Sequence, residues 1–201
     1  MNMNNLPSII ALCGYKGSGK DTVANYLVDK YNYKHYKISD KLKEIIKILF
    51  DLSDNDLEQK KEEVNDKWNT TPRRLMQFIG TDMFQYKLQE LLPNINRDFW
   101  IKSLFTEDLM NKINNENYKI VISDLRFLHE YEIISNLYVS YSILKVKNNR
   151  IEQNDTHISE NEFNQINING IIQNDSNLET LYNNIDNIIF NMMKGANNLK
   201  I

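Results

Sequence analysis

One cysteine, Cys13, is all that the 201 residues contain. That excludes an internal disulfide framework and any cysteine-only metal cluster, and it points to a reducing, intracellular compartment. Long apolar runs are also missing. None approaches the roughly 20 residues that a membrane helix needs, and Met1–Pro7 has neither the basic start nor the long apolar stretch of a signal peptide, so no membrane partner is expected. Nor is there a basic excess: 24 Lys and Arg against 27 Asp and Glu leave a net charge of −3. A general nucleic-acid binder is more often basic, because phosphate contacts dominate that affinity, and no nucleic-acid partner is expected here. Arginine is scarce. Arg73, Arg74, Arg97, Arg126 and Arg150 are the only five, in a chain rich in Asn, Ile and Lys, as an AT-rich genome would favour. Each retained arginine is therefore a candidate for a bidentate grip that lysine cannot make.

What is present suffices for a core, with 41% hydrophobic and 25% charged residues. The length suits one domain, or one domain carrying a small inserted lobe. Ser8–Cys13 is a nearly continuous apolar run and reads as a buried parallel strand. Asp21–Tyr31 has helical apolar spacing, His35–Ile38 is a short strand candidate, and Leu42, Ile45, Ile46, Leu49 and Phe50 mark a helix that Asp40 can cap. Residues 51–69 are charge-rich and are expected to form an exposed helical excursion. Pro72 fits the first turn of a helix capped by Thr71 or Thr70 and running on through Ile79. One further helix is expected over Asp98–Ile113, then a strand at Tyr118–Ser123, a helix at Leu128–Leu137 and a strand at Tyr141–Val146. A polar loop over 148–161, a short strand at Gly170–Ile172 and a closing helix at Leu178–Met193 complete the chain. Strands alternating with helices give an α/β fold, a parallel sheet of about five strands with helices on both faces.

Gly14-Tyr15-Lys16-Gly17-Ser18-Gly19-Lys20 matches a G-x-x-x-x-G-K phosphate loop and holds three of the six glycines. A buried strand precedes it and a helix follows. The glycines let the backbone wrap a phosphate, the helix start adds its positive end, and Lys20 supplies a compact charge for the β- and γ-phosphates. The hydroxyl residue that usually follows the lysine is replaced by Asp21, with Thr22 next. Asp21 can hold Mg²⁺ directly or through water, can face an acceptor, or can complement the helix end.

Three other segments carry candidate chemistry. Asp124 and Arg126 follow the Tyr118–Ser123 strand, where ligands of open parallel sheets bind. Asp124 can hold Mg²⁺ or orient an attacking oxygen. Arg126 can clamp a phosphate or pair locally with Glu130. Arg73, Gln77, Gly80 and Thr81 share one helical face, which suits a nucleotide close to the backbone or a solvated surface, and Arg74 lies beside them. Trp100 can stack on a base or belong to the core. His157, Ser159 and Glu160 lie in the polar loop, where Ser159 and Glu162 also form a capping box. Cys13 is most simply a small buried residue.

Five segments in register resemble the deoxynucleoside monophosphate kinases of the bacteriophage and large DNA virus type. They are Gly17-Ser18-Gly19-Lys20-Asp21-Thr22; Ile38-Ser39-Asp40-Lys41-Leu42-Lys43; Thr71 to Thr81 with Trp100; Ile122-Ser123-Asp124-Leu125-Arg126-Phe127 with Glu130; and His157-Ile158-Ser159-Glu160. The resemblance implies a single P-loop NTPase domain, with a core at about 8–50 and 115–193, a helical acceptor-binding insertion at about 51–114 and a lid at about 147–161. It implies transfer of a phosphoryl group from ATP, with Mg²⁺, to a (deoxy)nucleoside monophosphate for dNTP supply. It puts Lys20, Asp21, Asp124 and Arg126 in catalysis and Asp21 and Asp124 on Mg²⁺. Gly14, Tyr15, Lys16, Gly17, Ser18, Gly19, Lys20, Thr22 and Arg150 would bind ATP. Ser18, Asp21, Thr22, Arg73, Arg74, Gln77, Gly80, Thr81, Trp100, Asp124, Arg126 and Glu130 would bind the acceptor. The partners expected are small-molecule nucleotides, with a homodimer as an open alternative to a monomer, in the cytoplasm (the host's, if the chain is viral). Two rivals stand beside this reading: a P-loop kinase of another phosphorylated metabolite, of the phosphomevalonate or dephospho-coenzyme A type, and a nucleotide-binding switch without turnover.

Overall fold

A computed structural model describes residues 5–151 and 162–195. The chain divides into two compact units. One comprises the residues up to Lys37 together with those from Thr106 onward; the other is Ile38–Phe105.

The first unit is built on five parallel strands: β1 (Ile9–Cys13), β2 (Lys34–Tyr36), β3 (Ile120–Ile122), β4 (Tyr141–Lys147) and β5 (Gly170–Gln173). Their order is β2-β3-β1-β4-β5, so β1 is central, paired with β3 through Ile9↔Ile120 and with β4 through Ile9↔Tyr141. All five residues of β1 are buried, as the continuous apolar run predicts. Helices α1 (Lys20–Tyr31), α6 (Glu107–Asn115), α7 (Leu128–Ser135) and α8 (Leu178–Gly195) supply the crossovers and the C-terminal cover. Ile10, Leu12, Val121, Leu144, Val146 and Ile172 form one core cluster with Val23, Ala24 and Leu27 of α1 and Leu181, Ile185 and Ile189 of α8. The alternate residues Ile9, Ala11, Cys13, Ile120, Ile122 and Ile143 point to the opposite face and are equally buried. Asp186 joins the two helices of the first layer by accepting hydrogen bonds from Tyr26, Tyr31 and Lys30 of α1 at 3.0, 2.7 and 2.6 Å.

The second unit contains α2 (Asp40–Phe50), α3 (Asp54–Glu58), α4 (Pro72–Gln77), a π-helix at Phe78–Tyr86 and α5 (Phe99–Leu104). Pro72 occupies the first turn of α4 and the Thr71 side chain accepts the Arg74 N–H, as expected. Four expectations change. Residues 51–69 are mostly turns, with one short helix capped by Ser53 and an isolated Asn65↔Thr70 bridge. The helix begun at Pro72 rewinds to π geometry at Phe78. The single helix expected over 98–113 is two, because the Thr106 side chain accepts the Leu109 N–H and starts α6 afresh. Ser39, not Asp40, occupies the cap position of α2, and its side chain makes no capping bond. Among the described residues, no helix is long and apolar enough to cross a membrane.

Candidate active site

Central β1 runs directly into the loop Gly14–Gly19. Gly14, Gly17 and Gly19 have φ of 139°, 76° and 98°, a region that L side chains rarely adopt. Gly14 is also sterically required, since an added Cβ would lie 2.4 Å from the Val146 carbonyl oxygen; at Gly19 it would meet the end of the Asn174 side chain, 2.3 Å away. The Ser18 N–H donates to the Tyr15 carbonyl at 3.1 Å and closes the turn. Gly19 caps α1 without a side chain, so the helix starts with no side-chain oxygen on its first N–H groups. Lys20 folds across the loop and donates to the carbonyl oxygens of Gly14 and Tyr15 at 2.7 and 2.8 Å. The Ser18 hydroxyl is buried without a hydrogen-bond partner, an orphan polar atom at the loop's centre. Lys16 is exposed, Thr22 lies on the first turn of α1, and the Tyr15 hydroxyl accepts from Asn164 at 3.0 Å. Cys13 lies under the loop, and burial pushes its thiol up to about 11, which makes it inert packing.

Asp21 carries more partners than the sequence suggested. Its Oδ1 accepts from the Ser123 hydroxyl at 2.7 Å and lies 3.0 Å from Lys37 Nζ and 3.8 Å from His35 Nε2. Burial raises the Asp21 carboxyl, but the Ser123 and Lys37 hydrogen bonds and the charges of Lys37 and His35 outweigh it and hold the group below its ordinary value. His35, Lys37 and Ser123 were missed. The signal was strand alternation: in Lys34-His35-Tyr36-Lys37 the second and fourth residues share a face.

Asp124 and Arg126 follow β3 at the same end of the sheet as the phosphate loop. Asp124 is buried and Arg126 half-buried. Glu130, expected at the substrate, is instead beneath this loop. Only 3% exposed, it accepts the backbone N–H groups of Arg126 and Phe127 at 2.9 and 3.0 Å. Its carboxyl group shapes the turn that presents Arg126, as a residue in the third position of a helix reaches back to the cap. Burial drives its carboxyl up to about 8, against the pull of those two hydrogen bonds.

Arg150, expected on ATP, is engaged locally. Its guanidinium donates to the carbonyl oxygens of Asn174 and Ser176 at 3.2 and 3.3 Å, tying the segment after β4 to the turn after β5. Asn174, also missed, donates from Nδ2 to the Ser18 carbonyl at 2.8 Å and so braces the phosphate loop from the far edge. His157, Ser159 and Glu160 lie outside the described residues.

In the Ile38–Phe105 unit, Arg73 lies 3.6 Å from Glu62, Arg74 is exposed and Gln77 half-buried. Gly80 and Thr81 do not continue an open face. Both are buried, because the chain has entered the π-helix. A Cβ on Gly80 would meet Leu42 at 2.5 Å. Trp100 is a core residue here, not an open stacking platform. It is 4% exposed, its indole N–H donates to the Gly80 carbonyl at 2.8 Å, and Phe84 and Phe99 pack on it. Arg97, assigned no role from sequence, donates from Nε and Nη2 to Gln85 Oε1 at 3.3 and 3.2 Å.

Comparison with known proteins gives the family. The sequence profile of the deoxynucleotide monophosphate kinase family matches residues 8–69 and 52–185. A relative of that name from Acanthamoeba polyphaga mimivirus is 34% identical over 190 residues, covering 91% of this chain and 96% of its own. The deoxynucleotide monophosphate kinase of Enterobacteria phage T4 is 30% identical over 126 residues, or 63% of this chain, which spans about half (47%) of the phage protein. Among solved structures, dephospho-CoA kinase from Campylobacter jejuni superposes with a TM-score of 0.50 at 13% identity, covering 94% of this chain and 98% of that one, a likeness of fold alone. With the strand–loop–lysine arrangement at its centre and the family profile matched along most of its length, the chain belongs to the deoxynucleotide monophosphate kinase family, a family of phosphotransferases.

Proposed function

We propose that this chain transfers the γ-phosphoryl group of ATP to a deoxynucleoside 5′-monophosphate, giving ADP and the diphosphate, and so supplies DNA precursors in the cytoplasm of the cell that holds it. The observation that carries the reading is the loop Gly14–Gly19. Its three left-handed glycines and Lys20 form a cradle for phosphates, and the buried Ser18 hydroxyl has an unused hydrogen-bonding capacity inside it. An acceptor phosphate oxygen is already nucleophilic, so the protein needs no general base. It has to align donor and acceptor and neutralise charge as the new P–O bond forms and the bond to the ADP oxygen breaks. In this reading Lys20 leaves the Gly14 and Tyr15 carbonyls for the β- and γ-phosphate oxygens. Arg126, held by the Glu130-braced turn, takes an acceptor phosphate oxygen, and Arg73 also serves the acceptor.

The donor set also fits Mg²⁺. Among the described residues no group of three or more His, Cys, Asp or Glu side chains could hold a metal. Mg²⁺ bound with a nucleotide needs only one or two carboxylates, the phosphates and water completing its shell. Asp124 is the first such carboxylate and Asp21 the second, and Mg²⁺ there would neutralise developing phosphate charge. An assay of ADP release with ATP and Mg²⁺, run against each of the four deoxynucleoside monophosphates and against dephospho-CoA, tests the reading. ADP release that depends on a deoxynucleotide is the expected result. Release only with dephospho-CoA, or release indifferent to every acceptor, overturns it.

A further inference from the structure

We propose that His35, Ser123 and Lys37 are positioning residues that act on phosphoryl transfer through Asp21. The proposal rests on the kinase reading above and deepens it.

The order of hydrogen bonds follows from counting protons. Ser123 has one hydroxyl proton, and the carboxylate of Asp21 has none to give. The 2.7 Å contact between Ser123 Oγ and Asp21 Oδ1 therefore uses the serine's proton. The second 2.7 Å contact of the same oxygen, to His35 Nε2, must then be donated by the imidazole. Lys37 donates to the same Asp21 Oδ1 at 3.0 Å. Every bond in the chain His35 to Ser123 to Asp21, and Lys37 to Asp21, runs toward one carboxylate oxygen. The fold fixes this geometry in two ways. His35↔Val121 and Tyr36↔Ile122 are register partners, and the Ser123 N–H donates to the Tyr36 carbonyl at 3.3 Å, which sets the end of β3 beside the end of β2. Asp21 lies on the first turn of α1, next to Lys20.

The carboxylate that replaces the usual hydroxyl after the loop lysine is thus not left to orient itself. Two strands hold it, and with it the start of the helix that carries Lys20. Such an arrangement lowers the reorganisation needed as the transferred group develops charge, an effect on kcat more than on ground-state nucleotide binding.

A double-mutant cycle on the full chain tests this, with ATP, Mg²⁺ and the preferred deoxynucleoside monophosphate. His35→Leu is expected to lower kcat roughly 10-fold while the KM for ATP stays within about twofold. His35→Gln keeps an N–H donor near the Nε2 position and should recover kcat to within about threefold of wild type. In an Asp21→Asn background His35→Leu should change kcat by less than about twofold, because the group it acts through is altered. Ser123→Ala against Ser123→Thr repeats the comparison and replaces the His35 pair if His35→Leu fails to fold by its melting curve. A purely structural tie would lower the melting temperature and leave no coupling in kcat. Equal loss in both backgrounds, wild-type kcat in His35→Leu, or no recovery with His35→Gln overturns the relay. A wild-type protein that turns over no deoxynucleotide overturns the kinase reading and this inference with it, whereas an active wild type with an indifferent His35 overturns the relay alone.

Discussion

Replacing Glu130 with glutamine should change how stability depends on pH. Glu130 is 3% exposed and its carboxyl is pushed up to about 8, mainly by burial, from an ordinary value of 4.5. A carboxyl raised on folding binds its proton more tightly in the native state. It therefore favours folding fully below the unfolded value and loses that contribution as pH rises toward the folded value. Between about pH 5 and pH 8 the native state retains one proton that the unfolded chain has released, which costs about 1.4 kcal/mol of stability per pH unit. From pH 5.5 to 7.5 the loss is about 2.7 kcal/mol. For a chain of this size that is roughly 5–11 °C in melting temperature. Glutamine is a permanently neutral carboxamide whose oxygen can still accept the Arg126 and Phe127 N–H groups. The test is thermal or urea unfolding of wild type and Glu130→Gln at half-unit pH steps. The difference between the two curves isolates Glu130 from every other titrating group. It should widen steadily in favour of the variant as pH rises. Parallel curves would refute the reasoning, since they would mean that Glu130 enters the fold already ionised.

Lys20→Ala should leave the melting curve nearly unchanged and reduce turnover roughly 10²-fold or more, the cost of one centred cation in a water-poor site, as steady-state ADP release would show. Gly14→Ala should destabilise by about 2–5 kcal/mol, since it combines a disfavoured φ with a Cβ 2.4 Å from the Val146 carbonyl oxygen. Gly17→Ala, whose Cβ meets nothing nearer than 3.5 Å among the described residues, should cost only the backbone part, about 1–2 kcal/mol by urea unfolding. Arg73→Lys should raise the KM for the acceptor severalfold more than that for ATP, because lysine cannot reproduce the fork of the guanidinium. A rise confined to the ATP value would assign Arg73 to the donor.

Local rules carried the sequence far in some places. Spacing alone marked Gly14, Gly17 and Gly19, and the structure shows all three in left-handed backbone. Thr71 and Pro72 announced the start of α4, and the apolar run before the loop announced the central strand. What was lost depends on distance or on a change of period. The partner that defines Asp21 is Ser123, 102 residues away, brought close by strand register that no local pattern displays. A helix of constant pitch puts Gly80 and Thr81 on one face with Arg73, and the pitch changes at Phe78, two residues before Gly80. Trp100 between Phe99 and Ile101 fitted either reading, and packing on Phe84 and Phe99 decided it. The break at Thr106 has a local signal, a threonine followed by Glu107 and Asp108, the pattern of a helix start.

The strand order has a consequence for how the molecule comes into being. The phosphate cradle is encoded within the first tenth of the chain, yet it is shaped by residues that leave the ribosome much later: β3 and β4 flank β1, the Val146 carbonyl abuts Gly14, and Asn174 braces Ser18. At about 5–20 residues per second, roughly 8–30 s separate the synthesis of Lys20 from that of Asn174. Until β3 has been made, about 5–20 s after Lys20, β1 is an apolar segment with no strand on either side and must wait unpaired. Pairings that span more than a hundred residues close slowly, since their chain entropy is lost before any contact is gained. The nascent chain should therefore gain nucleotide affinity in one late step rather than by degrees, and the segment most in need of chaperone protection is the one that later holds the phosphates.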